Sequence, residues 1–178
     1  MTSQGKEYGE ALYELARDEN LRETLMPQLS EIWRVMSEQP QFMQLLCSRA
    51  IERDTRVKVV DDTFRDQAHP YLVSFMKLLV EKERFNAFGD CVKWFTDRYN
   101  EDYRIVEARV TSAIPLTEDR LEALRAKLKE ISGRNVIVKL NVDPGVIGGI
   151  RVEMDGRRYD NTIQNRLERL RHNLVNNL

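Results

Sequence analysis

The chain has 178 residues, 42% hydrophobic and 32% charged, with a formal net charge of -1. That balance excludes a disordered polyelectrolyte and a lipid-embedded chain, and the near-neutral total argues against general affinity for nucleic acid. Neutrality hides a gradient: from Val106 onward 13 basic residues stand against 10 acidic ones, leaving 15 of the 28 basic and 19 of the 29 acidic residues in front. Met1 to Glu10 carries no apolar run, and the run around Leu78 to Val80 is too short to cross a bilayer, so neither export nor membrane insertion is expected.

The first hundred residues repeat one signal, apolar side chains at i, i+3, i+4 and i+7, which predicts helices with a single buried stripe. Tyr8, Ala11, Leu12 and Leu15 form the first stripe, and Leu29, Ile32, Trp33 and Met36 the second, with Pro27 expected in the first turn of that helix. Pro40 ends it or begins a short successor. Val57, Val60 and Phe64 mark another helix, and Phe88, Val92, Phe95 and Tyr99 a further one. Short connections predict a compact antiparallel bundle of about six helices. Pro70 to Val80 differs, because only Ser74 and Lys77 interrupt its apolar residues. Such a helix either lies at the bundle centre or offers a second face to something else.

Near Tyr103 the period changes from helical to two. Val106, Ala108 and Val110 alternate with Glu107, Arg109 and Thr111, predicting a strand with one wet face. Pro115 breaks it, Thr117 can cap the next helix, and Leu121, Leu124, Leu128 and Ile131 are expected to be that helix's buried side, stopped by Gly133. Val136, Val138, Leu140 and Val142 form a second strand and Ile150, Val152 and Met154 a third. Asp155-Gly156 then turns the chain into a fourth, antiparallel strand. Ile163, Leu167, Leu170 and Leu174 line one side of a final helix, with Arg166 and Arg169 on other faces; whether it packs on its own sheet or reaches toward a partner is open. The class is α+β: a helical bundle over residues 1–104, then a small α/β domain with a mixed sheet and two helices over 105–178.

No reaction is legible. The glycines of Gly145 to Ile150 are followed by strand residues, without the Lys-Ser/Thr and helix of a phosphate cradle, and are read as sites of close backbone approach or a bulge. His69 and His172 have no carboxylate or cysteine at ligand spacing. Cys47 and Cys91 lack CxxC spacing and are read as buried small hydrophobes in a reducing setting. Asp61 and Asp62 read as solvated helix surface. No catalytic residue, cofactor or metal is expected.

Three blocks carry a resemblance. Tyr8 to Ala16 (YGEALYELA) resembles the opening helix of the delta subunit of bacterial F-type ATP synthases and of its mitochondrial relative, the oligomycin-sensitivity-conferring protein. Phe75 to Phe85 (FMKLLVEKERF) is similar to that family's leucine pair and basic tract. The most specific block joins VTSAIPLT (Val110 to Thr117), VDPGVIGGIRV (Val142 to Val152) and YDNTIQNRLERL (Tyr159 to Leu170). Two positions depart from the family: Gly145 stands where Ser is usual and Asn161 where Gly is usual, and both suit turns.

The resemblance implies a non-catalytic stator subunit that ties the catalytic head to the peripheral stalk and resists rotor torque during proton-driven synthesis. In the family the helical bundle grips the N-terminal helix of an alpha subunit between its first and fifth helices, and the C-terminal domain meets the C-terminal region of the b subunit. Carried to this chain, the alpha-helix site is Tyr8, Ala11, Leu12, Leu15, Leu72, Phe75, Met76 and Leu79. Arg166 and Arg169 either face acidic stalk residues or are ordinary solvated surface. Localisation would be peripheral, on the cytoplasmic face of the cell membrane, reached only through the complex. The competing reading, a nucleic-acid-binding adaptor using the basic residues after Arg157, lacks the interleaved exposed aromatics that such binding needs.

Overall fold

The structure is a computed structural model that describes residues 2–146, 148–163 and 165. It divides into two compact units, Met1–Tyr99 and Asn100–Leu178. The first holds α1 (Ser3–Asp18), α2 (Arg22–Glu38), α3 (Pro40–Cys47), α4 (Arg53–Phe64), α5 (Pro70–Glu81) and most of α6 (Phe88–Asp102), with a 3-10 turn at Phe85–Ala87.

Two prolines act as starters: Pro40 and Pro70 occupy first helical positions, where the missing N–H costs nothing. Pro27 departs from expectation. The helix begins five residues earlier, at Arg22, so Pro27 lies inside α2 and the Glu23 carbonyl has no backbone donor from it. Burial of Leu25, Leu29, Ile32 and Met36 on one stripe outweighs that loss.

α1 approaches α6 through glycine. A Cβ at Gly5 would stand 2.3 Å from the Asp90 Cβ, and one at Gly9 would stand 3.0 Å from the Cys91 carbonyl oxygen. Beyond this close stretch, Tyr13 meets Trp94 and Phe95 edge-on at 6.1 and 5.0 Å. Asp90 also holds the start of α1, accepting from the Thr2 amide and hydroxyl at 2.7 Å each, while the Thr2 hydroxyl caps the helix by accepting from Gly5 N at 3.2 Å. These bonds hold the Asp90 carboxyl below the usual carboxylate range.

Sequence periodicity did not reveal Arg56, which is buried. Its Nε donates to the Ile51 carbonyl and its NH1 to the Leu46 carbonyl, both at 3.1 Å, so a cation caps the C-terminal end of α3.

The second unit holds β1 (Ile105–Ser112), α7 (Glu118–Ser132), β2 (Asn135–Val142), β3 (Ile150–Met154) and β4 (Arg157–Asp160). The sheet order is β2-β1-β3-β4. β1 and β2 are parallel, joined through α7, while β3 runs antiparallel to both β1 and β4. Val106, Ala108, Val110, Val152 and Met154 pack with Leu128 and, partly buried, Leu124 of α7. Gly133 ends α7 at φ 65°, and Asp155 and Gly156 turn the last hairpin at φ 51° and 69°. Two expectations fail. Thr117 stands at the N-cap of α7 but its side chain makes no capping bond, and Ile131, in the last turn of α7, is 55% exposed.

Gly149 shows why the glycine cluster exists. Its φ is 88°, and a Cβ there would lie 2.4 Å from the Asn161 carbonyl oxygen; the close approach comes in the turn before β3 and not as a bulge within it. The approaching segment is organised by Asp160. One carboxylate oxygen accepts from Thr162 N at 3.1 Å and Thr162 Oγ1 at 2.7 Å, and the other accepts from Arg151 and Arg158 at 3.0 Å each. Asn165 Nδ2 donates to the Asp160 carbonyl at 2.8 Å. The Thr162 hydroxyl, the backbone amide and the two arginines hold the Asp160 carboxyl far below the usual range.

Two predictions follow from these buried polar groups. Arg56→Ala leaves the Leu46 and Ile51 carbonyls without their donor and is expected to cost about 3 kcal/mol in urea unfolding, with Arg56→Lys recovering part of it. Asp160 binds its proton less tightly folded than unfolded. Its contribution to stability is therefore complete above the unfolded carboxylate value of about 3.9 and is lost as pH falls below that toward the folded value. An NMR titration of the Thr162 amide should show no Asp160 protonation step at pH 3 to 4, and Asp160→Asn should flatten the acid limb of the stability profile.

Candidate docking surface

α5 carries more apolar side chains than one face can hold. Leu72, Val73, Phe75, Met76, Leu79 and Val80 turn inward and are buried, so the core-helix reading takes most of this segment. What remains lies on the opposite line, Ser74 and Leu78 at i and i+4, and Leu78 is 39% exposed. On α1 the buried line is Gly5, Gly9, Leu12, Tyr13 and Ala16. Beside it run Tyr8, half-buried against the core, and the exposed Ala11 and Leu15, the last also 39% exposed.

The eight expected alpha-helix contacts therefore separate into two groups. Leu12, Leu72, Phe75, Met76 and Leu79 are packed in the unit's own core and present almost no surface. Tyr8, Ala11 and Leu15 remain accessible. Leu78, absent from the expected set, joins them. The i, i+4 line through Ser74 was its sequence signal, because a helix that buries two adjacent rows must turn the third outward. Arg166 and Arg169 lie outside the described residues.

The electrostatics beside α5 differ from expectation at one residue. Asp61 is largely covered, not merely solvated: it bonds Lys77 of α5 at 2.9 Å and pairs with Arg65, while Asp62 is exposed. The Lys77 hydrogen bond is the main cause that holds the Asp61 carboxyl below its ordinary value. The cysteines differ from each other. Cys91 is buried, which pushes its thiol up to about 12, whereas Cys47 is exposed, contrary to the expectation of burial, with its thiol raised by partial desolvation. Neither is poised as a nucleophile.

A separate apolar groove of about 520 Å³ opens between α2, α3 and α4, floored by Ile32, Val35, Met36, Phe42 and Phe64. Periodicity alone missed it, since its lining mixes the stripe residues Ile32, Met36 and Phe64 with half-buried Val35 and Phe42 from outside the stripes. In the sheet unit β2 carries three exposed apolar side chains, Ile137, Leu140 and Val142, and others lie off it at Ile114, Ile131, Tyr159 and Ile163. No helix among the described residues is long and apolar enough to cross a membrane.

Comparison with known proteins agrees with the resemblance. The pattern of the ATP synthase delta (OSCP) subunit family matches residues 5–174. The chain is 31% identical over 164 residues to the ATP synthase subunit delta of the Paulinella chromatophora organellar chromatophore, covering 92% of this chain and 90% of that one. It is 32% identical to the subunit delta of Rhizorhabdus wittichii, at 92% and 89% coverage. Its fold matches a chain of the Toxoplasma gondii mitochondrial ATP synthase hexamer with a TM-score of 0.70 over 98% of each chain, at 18% identity. A match that runs through both the helical and the sheet unit leaves one conclusion: the chain belongs to the ATP synthase delta (OSCP) subunit family of F-type ATP synthases.

Proposed function

We propose that this subunit is a non-catalytic joint of the stator, in which the helical unit holds the N-terminal helix of an alpha subunit and the C-terminal unit holds the C-terminal region of the b subunit. It would sit at the cytoplasmic face of the cell membrane, held there only through the complex. The observation that carries the reading is the apolar surface left outward on each of α1 and α5, Ala11 and Leu15 with half-buried Tyr8 on the first and Leu78 on the second. An amphipathic helix laid along it would bury those side chains by the same hydrophobic burial that builds the core. Nonpolar contact suits such a joint, since charge screening by salt does not weaken it.

Because Leu15 and Leu78 are exposed, charges there test docking without emptying the core, whereas a charge at Leu79, which is fully buried, would report unfolding. Leu15→Asp with Leu78→Asp is expected to weaken binding of an alpha N-terminal peptide at least tenfold by calorimetry, with an unchanged thermal melt. Val35→Asp, in the separate groove, should leave that affinity intact. If the pattern reverses, the helix docks between α2 and α4; if neither variant matters, the alpha-helix assignment is wrong. For the stalk contact, a b-subunit peptide should bind the full chain more weakly as salt rises, and Arg166→Glu with Arg169→Glu should flatten that dependence. A salt-independent affinity would remove any electrostatic role for these arginines.

A further inference from the structure

We propose that the row Glu7, Glu10 and Glu14 of α1 selects and orients the helix that docks beside it, and that this partner helix carries lysine or arginine along one flank of its apolar face. This deepens the alpha-helix reading, on which it rests, by stating the charge that the occupant must bring.

α1 sorts its side chains into sectors. The buried line Gly5, Gly9, Leu12, Tyr13 and Ala16 faces the core of the unit. Half-buried Tyr8 and exposed Leu15 and Ala11 border that line on one side, and Glu7, Glu10 and Glu14 come next, all exposed and spaced i, i+3 and i+7. Ala11 has Glu7 one turn before it and Glu14 one turn after it, so the exposed apolar side chains and the acids run as adjacent rows. The cations of the helix stand apart from both. Lys6 and Arg17 project from the side opposite Leu15, and Arg17 is taken up by Asp18 at 3.3 Å.

A solvated helix commonly offsets its acids with bases three or four positions away, as Arg34 of α2 does with Glu31 and Glu38 at 2.6 and 2.8 Å. The α1 row is not neutralised in this way. Among the described residues no cation pairs with Glu7, Glu10 or Glu14, and the bond that reaches the row comes from the neutral Ser3 hydroxyl, 3.1 Å from Glu7 Oε1. Like charges at i, i+3 and i, i+4 repel one another, and a basic flank laid over them relieves that repulsion.

The occupant's chemistry follows. Apolar burial is non-directional, so an amphipathic helix could lie on Tyr8, Ala11 and Leu15 pointing either way. With cations on one flank only, a single direction brings them over the acids, and the reverse leaves both rows unpaired. Because the three carboxylates are exposed, they act on encounter and orientation more than on retention, which the apolar contact supplies. A helix with an acidic flank is repelled, so the same row rejects wrong partners.

Stopped-flow binding of an alpha N-terminal peptide to the full chain, at salt from about 20 to about 300 mM, tests this. The on-rate should fall about tenfold across that range while the off-rate changes less than about twofold. Glu7→Gln with Glu10→Gln and Glu14→Gln should hold the on-rate near the wild-type high-salt value throughout, with an unchanged thermal melt. Aspartate at the same three positions should restore the salt dependence. A wild-type on-rate indifferent to salt, or a salt slope that survives the three glutamines, would overturn the proposal. An equal loss of on-rate for a b-subunit peptide would also overturn it, since the row would then attract without selecting. Leu15→Asp with Leu78→Asp separates the two readings. If that pair leaves peptide affinity intact, the docking reading falls and this one with it; if the pair weakens binding while the glutamines change nothing, docking stands and only the basic flank is refuted.

Discussion

An α-helix with apolar side chains at eight of its twelve positions has no stable place in water, and α5 is such a helix. Its six buried residues contribute about 1.5–3 kcal/mol each, a sum comparable to the net stability of a small domain, which is about 5–15 kcal/mol. The helical unit is arranged to satisfy that demand. α4 lends Asp61 to Lys77, the residue that interrupts the apolar surface, and Gln28 of α2 accepts from the His69 amide at 2.8 Å where α5 begins. Phe85 and Phe88 stack at 5.3 Å just beyond its end. Once two adjacent rows of α5 face inward, its third row has nowhere to go but out. Exposed Leu78 is thus a geometric remainder of a helix that is apolar nearly all round, and a remainder of that kind is what an assembly subunit can use.

The sheet unit reaches a similar result by a different route. Among the described residues, the 15-residue helix α7 packs on a four-stranded sheet, and its best coverage falls on β1 and β3, whose inward residues Ala108, Val110, Val152 and Met154 are buried. β2 receives only partial cover at Val136 and Val138. Opposite it, β4 is short, and its arginines are drawn onto the carboxylate of Asp160 or left in solvent. The two edges of the described sheet are therefore unlike, the β4 edge short with two arginines and the β2 edge eight residues long with a single lysine.

Periodicity made the elements legible because the core is built from residues that obey it. The α1 stripe, the switch to period two near Tyr103, the Asp155-Gly156 hairpin and the Gly133 stop all rest on local geometry that a residue type either permits or forbids. What escaped depended on partners distant in sequence. Arg56 looks like any surface arginine until the Leu46 and Ile51 carbonyls are found around it. Pro27 sits inside α2 because burial on four neighbours outweighs one lost bond, a balance no single position announces. Ile131 continues the α7 stripe in sequence, yet it lies exposed in the helix's last turn. The proposed docking surface suffered from the same ambiguity. The periodic pattern that identifies α1 and α5 also describes their core rows, so Leu12, Leu72, Met76 and Leu79 could not be told from Leu15 and Leu78 without knowing which way each helix is turned.

That division limits how strong the proposed alpha-helix grip can be. Four partly exposed side chains on α1 and α5 fall short of the roughly 800 Å² per partner of a standard interface, and ordering a partner helix costs about 2–5 kcal/mol. Much of the contact must then come from flanking polar residues, whose alkyl stems add apolar area while their heads stay wet. Under the proposed reading the subunit does not need great affinity at any one site. Two attachments within one chain turn the second binding step into an intramolecular one, and avidity can exceed either affinity by about 10² to 10⁴. A stator joint under repeated load is better served by two modest grips that can each reseat than by one tight grip whose loss frees the whole subunit.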